Sequence, residues 1–532
     1  MISIDSLRAD HVSSYGYTSA TAPEVKTTPT LDRIMAEGGA RFEKAFSTTS
    51  WTLPSHMALL SGQPNEVHGV KDAPWQLHDE QPWLPTAFRD AGWRTFGIWS
   101  GPNVHPYFGF SRGFEQYVDC SELNTDLRKF EVEGDDDWKE LNEEHDQSHR
   151  VVTGHKIVDE FTEWFDEILE EEKFFAFVHM WDPHYDYFPP EEFDIFYPNA
   201  RPSWVAQESF RFKDLNAIAS PKGLPTHDQN RLKSLYDAEI RFTDANIEKM
   251  LRLLEDAGRL DSTLITVSSD HGEEFAEHGQ YGHKLNIYEE TLRIPLFMRL
   301  PGTIPPNFVV NGTTSIVDIA PTVLEIADVP GSSDMWGRSL ESVFLDRVEL
   351  RPRPAPMELT VRNETYFRGA RGDGFKVIEL GDALRAKLDG KSTMDPRRFN
   401  RLEQYVDRFP EVEMGLYMLP PKQATEGIPR LVTEPGAQVD PMIRPYVTDT
   451  DDHLVRKALA LWSDVDTAAR AWDGKRRKDE MDDALIQMLI DSGYADMDNS
   501  EEADDESDEG NGSSATESPE PPSDSSGGGA KD

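Results

Sequence analysis

The chain has 532 residues, 37% of them hydrophobic, enough for a large core with one big domain and a smaller companion. Its 98 acidic residues against 54 basic ones give a formal net charge of -44, which excludes nucleic-acid binding by a general electrostatic route because phosphates are repelled. Cys120 is the only cysteine, which excludes an internal disulfide and a cysteine metal cluster, and no stretch approaches the roughly 20 apolar residues that span a bilayer.

Arginine outnumbers lysine, and an acidic, lysine-poor surface suits concentrated salt, where self-repulsion is screened. An ordinary acidic cytosolic protein is the plainer alternative. The N-terminus lacks a basic region followed by an apolar segment, so the chain is expected to be cytoplasmic. Met1 opens directly into Ile2-Ser3-Ile4-Asp5, the second half of a strand by pattern, and residues upstream are expected to be missing.

In chain order, apolar runs predict strands at Ile2-Ile4, Arg94-Trp99, Phe174-His179, Leu264-Ser268 and Pro295-Met298. Between them lie helices such as Leu31 to Glu37, opened by Thr30 and closed by Gly38-Gly39, and the run from His227 to Ala257, closed by Gly258. This alternation is the signature of a mostly parallel α/β sheet covered by helices. The rhythm changes at the Pro-rich linker Arg351 to Pro356. We expect a catalytic domain over 1–350, a smaller α+β subdomain over 351–450, a helical segment over 451–496 and an acidic disordered tail over 497–532.

Four separated pieces carry chemistry. Ile2-Ser3-Ile4-Asp5-Ser6 delivers a carboxylate from a strand into a polar turn, placed to bind a hard cation. In Trp51-Thr52-Leu53-Pro54-Ser55-His56, Pro54 suits a first helical turn, so the Thr52 hydroxyl sits at a helix N-terminus that favours anions. After the run Phe174-His179, Asp182-Pro183-His184 puts His184 at the rim, able to protonate a leaving group or hold an anionic oxygen. Finally, Thr263-Ser269 ends in Asp270-His271-Gly272-Glu273, an oxygen and an imidazole ligand at one point, followed by Gly282-His283-Lys284, a cation for a bound oxyanion. Taken singly, Asp5 and Thr52 read as turn or helix caps, His184 as a loop histidine and Lys284 as a solvated lysine. In open α/β sheets ligands gather beyond the carboxyl ends of strands, so the four pieces can converge.

In this order the pieces resemble the sulfatase family of the alkaline-phosphatase superfamily. Further landmarks are Thr28-Pro29-Thr30-Leu31-Asp32-Arg33, Leu60-Ser61-Gly62, Gly109-Phe110-Ser111-Arg112-Gly113-Phe114, Arg293-Ile294-Pro295-Leu296, Val317-Asp318-Ile319-Ala320-Pro321-Thr322 and Gly337-Arg338-Ser339-Leu340. The resemblance implies an alkaline-phosphatase-like sheet sandwiched by helices. It implies metal ligation by Asp5, Thr52, Asp270 and His271, with Thr52 as nucleophile and His184 and Lys284 on the ester oxygens. His56 stands where the family carries its motif arginine; His283, Asn103 and His105 are further candidates.

The departures are specific. Thr52 replaces the Cys or Ser that the family converts to formylglycine, so formylglycine is not expected, and Ser6 replaces a second Asp. These changes resemble the Thr-nucleophile branch that includes phosphodiesterases and phosphoglycerol transferases. The expected activity is metal-dependent hydrolysis of a sulfate or phosphate ester on a small-molecule, glycan or lipid substrate, with Ca, Mn, Mg or Zn as the ion. A phosphoglycerol-type transferase and a noncatalytic binding protein of the same fold are the alternatives.

Overall fold

The computed structural model describes residues 1–121, 152–167, 173–206, 223–277, 279–361, 363–373, 375–380, 414–418, 444–447 and 453–472, with a few isolated positions outside these ranges. The acidic segment 497–532 and most of 473–496 lie outside the described residues.

Nine strands form the main sheet: β1 (Ile2–Ile4), β2 (Gly39–Phe46), β3 (Arg94–Trp99), β4 (Gln116–Asp119), β5 (Phe174–Met180), β6 (Ile265–Ser269), β7 (Arg293–Ile294), β8 (Leu296–Arg299) and β9 (Phe308–Ser315). Their order is β7-β2-β8-β6-β1-β5-β3-β4, with β9 beside β2. β1 lies at the centre, parallel to both β5 and β6. β8 runs antiparallel to both β6 and β2, so β2 points the same way as β1. The carboxyl ends of β1, β2, β5 and β6 therefore open on one edge.

Helices cover both faces because the strands are apolar on both sides, as buried parallel strands must be. The two-residue period of β5 sends Phe175 and Phe177 into one apolar layer and Ala176 and Val178 into the other. The first layer holds α2 (Thr52–Ser61) and α5 (Ile319–Ile326); the second holds α1 (Pro29–Ala36), α3 (Gly154–Glu167) and α4 (Thr226–Asp256). All ten residues of α2 are buried, so this helix is a core element and its first turn looks into the protein rather than into water.

A second, antiparallel sheet runs β10 (Ala355–Val361), β11 (Glu364–Gly372), β12 (Phe375–Leu380), β13 (Met414–Met418) and β14 (Arg444–Val447), in that order. Helix α6 (His453–Arg470) follows it, and Trp462 and Val465 of that helix pack on Val67. Among the described residues no helix is long and apolar enough to cross a membrane.

Candidate active site

Asp5 leaves β1 as the strand ends, its N–H still bonded to the Met180 carbonyl of β5 at 2.9 Å. Asp270 and His271 leave β6, the neighbour on the other side. Thr52 begins α2 after a loop from β2, with Trp51 in an extended conformation before it and Pro54 in the first turn, where a missing N–H costs nothing.

Two polar side chains dock α2 on the strand ends. Ser55 Oγ donates to the Asp270 carbonyl at 2.6 Å. His56 bridges the Thr52 carbonyl, 3.0 Å from Nδ1, and Ser3 Oγ, 2.8 Å from Nε2. Since a carbonyl only accepts, Nδ1 carries the proton and Nε2 takes the Ser3 hydroxyl. Burial lowers the His56 pKa to about 3, so the ring is neutral. His56, expected among the catalytic residues, meets the Thr52 backbone and also holds Nδ1 3.6 Å from Asp270 Oδ2.

The four expected ligand residues meet. Thr52 Oγ1 lies 3.3 Å from Asp5 Oδ2 and 3.3 Å from His271 Nε2. His271 Nε2 is 3.6 Å from Asp5 Oδ1 and 3.4 Å from Asp270 Oδ2. His271 Nδ1 donates to the Gly272 carbonyl at 2.8 Å, which leaves Nε2 with a lone pair aimed at two carboxylates. Ser6, at a positive φ of 55°, bonds Asp5 Oδ1 through its hydroxyl at 2.9 Å and Asp270 Oδ1 through its N–H at 3.1 Å. Asp270 Oδ2 has no hydrogen-bond partner among the described residues.

A lone pair facing carboxylate oxygens, one of them without a donor, is repulsive unless a positive charge sits among them. Burial raises the Asp5 pKa well above the usual range, with repulsion from Asp270 adding to it, and burial pushes Asp270 up to about 7. The two carboxylates and the imidazole form the one metal-competent group found among the described residues. The donor set, with the Thr52 hydroxyl as a fourth atom, fits a divalent cation such as Mn²⁺ or Zn²⁺.

Around this group stand the residues expected to meet the ester. The His283 ring is 4.5 Å from that of His271 and 5.2 Å from that of His184. His283 Nδ1 lies 3.1 Å from Glu273 Oε1, while Glu273, raised by burial to about 8, also accepts from Tyr187 Oη at 3.1 Å. His184 Nδ1 donates to the Tyr185 carbonyl at 2.7 Å, and its ring stacks on that of Tyr185 at 4.5 Å. The carboxylate of Asp182 takes the N–H groups of Thr153 and Gly154 at 3.0 and 2.8 Å, tying the His184 loop to the start of α3. Lys284, at a positive φ of 60°, donates its N–H to the Ser50 carbonyl and lays Nζ 3.6 Å from the centre of the Trp51 ring, next to Thr52.

Asn103 is buried with Oδ1 lacking a hydrogen-bond partner, but no described contact joins it to the Asp5 group. His105 accepts the Tyr107 N–H at 3.1 Å and faces the Trp99 ring. Cys120 is buried in the apolar layer under α3.

Two neighbours escaped the sequence reading. His179 is fully buried, stacks edge-on against His56 at 4.4 Å, and holds Nε2 3.6 Å from Asp5 Oδ2 with neither ring nitrogen hydrogen-bonded among the described residues. The alternation along β5 was a usable signal, since it turns His179 to the α2 side with Phe177. Asp72, 3.8 Å from Lys284 Nζ, comes from a loop with no periodic pattern and left no such signal.

A model of the sulfatase family matches residues 1–329, and the chain belongs to that family, a branch of the alkaline-phosphatase superfamily. It is 24% identical over 386 residues to the N-acetylglucosamine-6-O-sulfatase of Bacteroides thetaiotaomicron, covering 60% of this chain and 66% of that one. It is also 24% identical over 356 residues to the extracellular sulfatase SULF-1 homolog of Drosophila melanogaster, covering 60% of this chain and 30% of the relative. The chain thus spans less than two thirds of the length of these relatives. Among solved structures, the phosphonate monoester hydrolase of Silicibacter pomeroyi shares the fold with a TM-score of 0.56 at 20% identity, over 72% of this chain and 86% of that one.

These relatives correct one expectation. A cytoplasmic location was read from hydropathy and the N-terminal pattern, whereas relatives include sulfatases named as extracellular. Hydropathy tests only the stretch of chain in hand, so a cytoplasmic location does not follow from it.

Proposed function

We propose that the chain is a metal-dependent hydrolase that cleaves a sulfate or phosphate ester with Thr52 as its nucleophile. The observation that carries the reading is the convergence of Thr52 Oγ1 on Asp5 Oδ2 and His271 Nε2, beside an Asp270 oxygen without a donor. Asp5, Asp270, His271 and Thr52 would hold the cation. When bound, it supplies Lewis-acid stabilisation of negative charge and a lowered pKa for the Thr52 hydroxyl.

The chain's own groups do the rest. Thr52 Oγ1 attacks sulfur or phosphorus in line with the departing alcohol and gives its proton to Asp5 Oδ2, the carboxylate oxygen 3.3 Å away. The free N–H groups of the first turn of α2 and the Lys284 ammonium meet the charge that grows on the nonbridging oxygens. His184, doubly protonated with Nδ1 held by the Tyr185 carbonyl, gives its Nε2 proton to the alcohol as the ester bond breaks and takes one back from the water that attacks next. Water then attacks the sulfur or phosphorus of the Thr52 adduct and frees the hydroxyl. The names of the relatives, one acting on N-acetylglucosamine sulfate and one on phosphonate monoesters, support an ester or phosphonate centre of this kind.

Thr52→Ala removes the nucleophile but leaves three ligands. Turnover of p-nitrophenyl sulfate and of an aryl phosphodiester should fall at least about 10³-fold, while Mn²⁺ still binds by calorimetry. Wild-type rates in that variant remove Thr52 from the mechanism. From the net charge of -44 we further infer a protein adapted to concentrated salt.

A further inference from the structure

Lys284 is the cation poised beside Thr52, and Asp72 stands against it. Nζ lies 3.8 Å from Asp72 Oδ1, with the two side chains only 14% and 9% exposed. The lysine cannot swing freely, because its backbone is fixed to Ser50 and its ammonium rests on Trp51. Asp72 is fixed as well, its Oδ1 accepting the N–H of Ala73 at 2.9 Å. The pair is therefore held against Trp51, the residue that precedes the nucleophile in the chain.

The charges decide what the site admits. Asp5 and Asp270 would neutralise a divalent cation held between them, and Asp72 offsets Lys284, so the loaded site would offer an entering ester little net positive charge. A single negative charge is then matched by local contacts to the cation, Lys284 and the α2 N-terminus. A second negative charge meets the Asp72 carboxylate. At an effective dielectric of about 20, like charges within about 8 Å of each other change an equilibrium at least about tenfold.

We propose that Asp72 is a specificity-determining residue that tunes the site to esters bearing one negative charge, sulfate monoesters and phosphodiesters, and against doubly charged phosphate monoesters. The inference rests on the ester-hydrolase reading above and narrows its substrate class.

The test uses the full chain loaded with Mn²⁺ at pH 8. Calorimetry compares dimethyl phosphate, with one charge, and methyl phosphate, with two. In wild type the singly charged probe is preferred over its partner by more than Asp72→Asn allows. The variant should raise the affinity ratio of methyl to dimethyl phosphate about tenfold. Asp72→Ser also keeps an acceptor for the Ala73 N–H and should do the same, whereas Asp72→Glu retains the wild-type ratio. A change below threefold in both neutral variants, or no binding of either probe at millimolar concentration, overturns the proposal. Turnover separates the two levels of inference: a shifted ratio in a chain that cleaves no ester leaves the charge selection standing and removes the hydrolase reading. Cleavage with an unmoved ratio does the reverse.

Discussion

Asp270 is where proton and metal compete most directly. Its carboxyl is buried and raised to about 7, whereas an unfolded aspartate titrates near 4. Between those values the native chain without metal holds a proton that the unfolded chain has released. The stability this contributes is present at low pH and is lost as pH rises through about 7. A cation reverses the sign, since it needs the ionised carboxylate and displaces that proton. The rise in melting temperature on adding Mn²⁺ should therefore be small at pH 5.5 and grow through pH 8, and affinity should fall at least about tenfold per unit below pH 7, since Asp5 is raised as well. An equal gain at both ends would show that Asp270 does not ligate.

Gly272 shows how an element boundary builds the site. A Cβ there would lie 2.1 Å from the Glu290 carbonyl oxygen and 3.2 Å from Arg8 Cγ, so the turn after β6 closes only with glycine. Gly272→Ala should cost about 2–3 kcal/mol in denaturant unfolding and displace His271, lowering Mn²⁺ affinity. An unchanged midpoint would mean that the neighbouring backbone yields freely.

The same boundary was legible in sequence, because an apolar run ending in Asp-His-Gly-Glu has few structural explanations. Strands Ile2–Ile4 and Arg94–Trp99 also match their patterns end to end. β2 and β9 were not read. Glu43-Lys44 breaks the apolar pattern of the first, and Asn311-Gly312 in the second reads as a turn but lies where the pairing with β2 shifts register. The antiparallel course of β8, which fixes the direction of β2 and so the edge where Thr52 arrives, depends on pairing that no local pattern encodes. His179 hid because a histidine in a strand reads as packing, and Asp72 because its contact is set by a loop path.

At the scale of the molecule, two kinds of charge act. The fold-wide excess of 98 acidic over 54 basic residues repels itself, and added salt screens it. The melting temperature of the metal-loaded chain should climb steadily from about 0.1 to about 2 M KCl; a flat or falling course contradicts adaptation to salt. The local excess is different in kind. Asp5 and Asp270 are fully buried on neighbouring strand ends, where bulk salt does not reach them, and a proton at low pH or a bound ion relieves them.

That relief is tested most directly by anomalous diffraction at the manganese edge from crystals grown with Mn²⁺. One strong peak is expected between Asp5, Asp270 and His271, in contact with Thr52 Oγ1. Protein that takes up no ion there, or an ion bound with the Thr52 hydroxyl turned away, would contradict it.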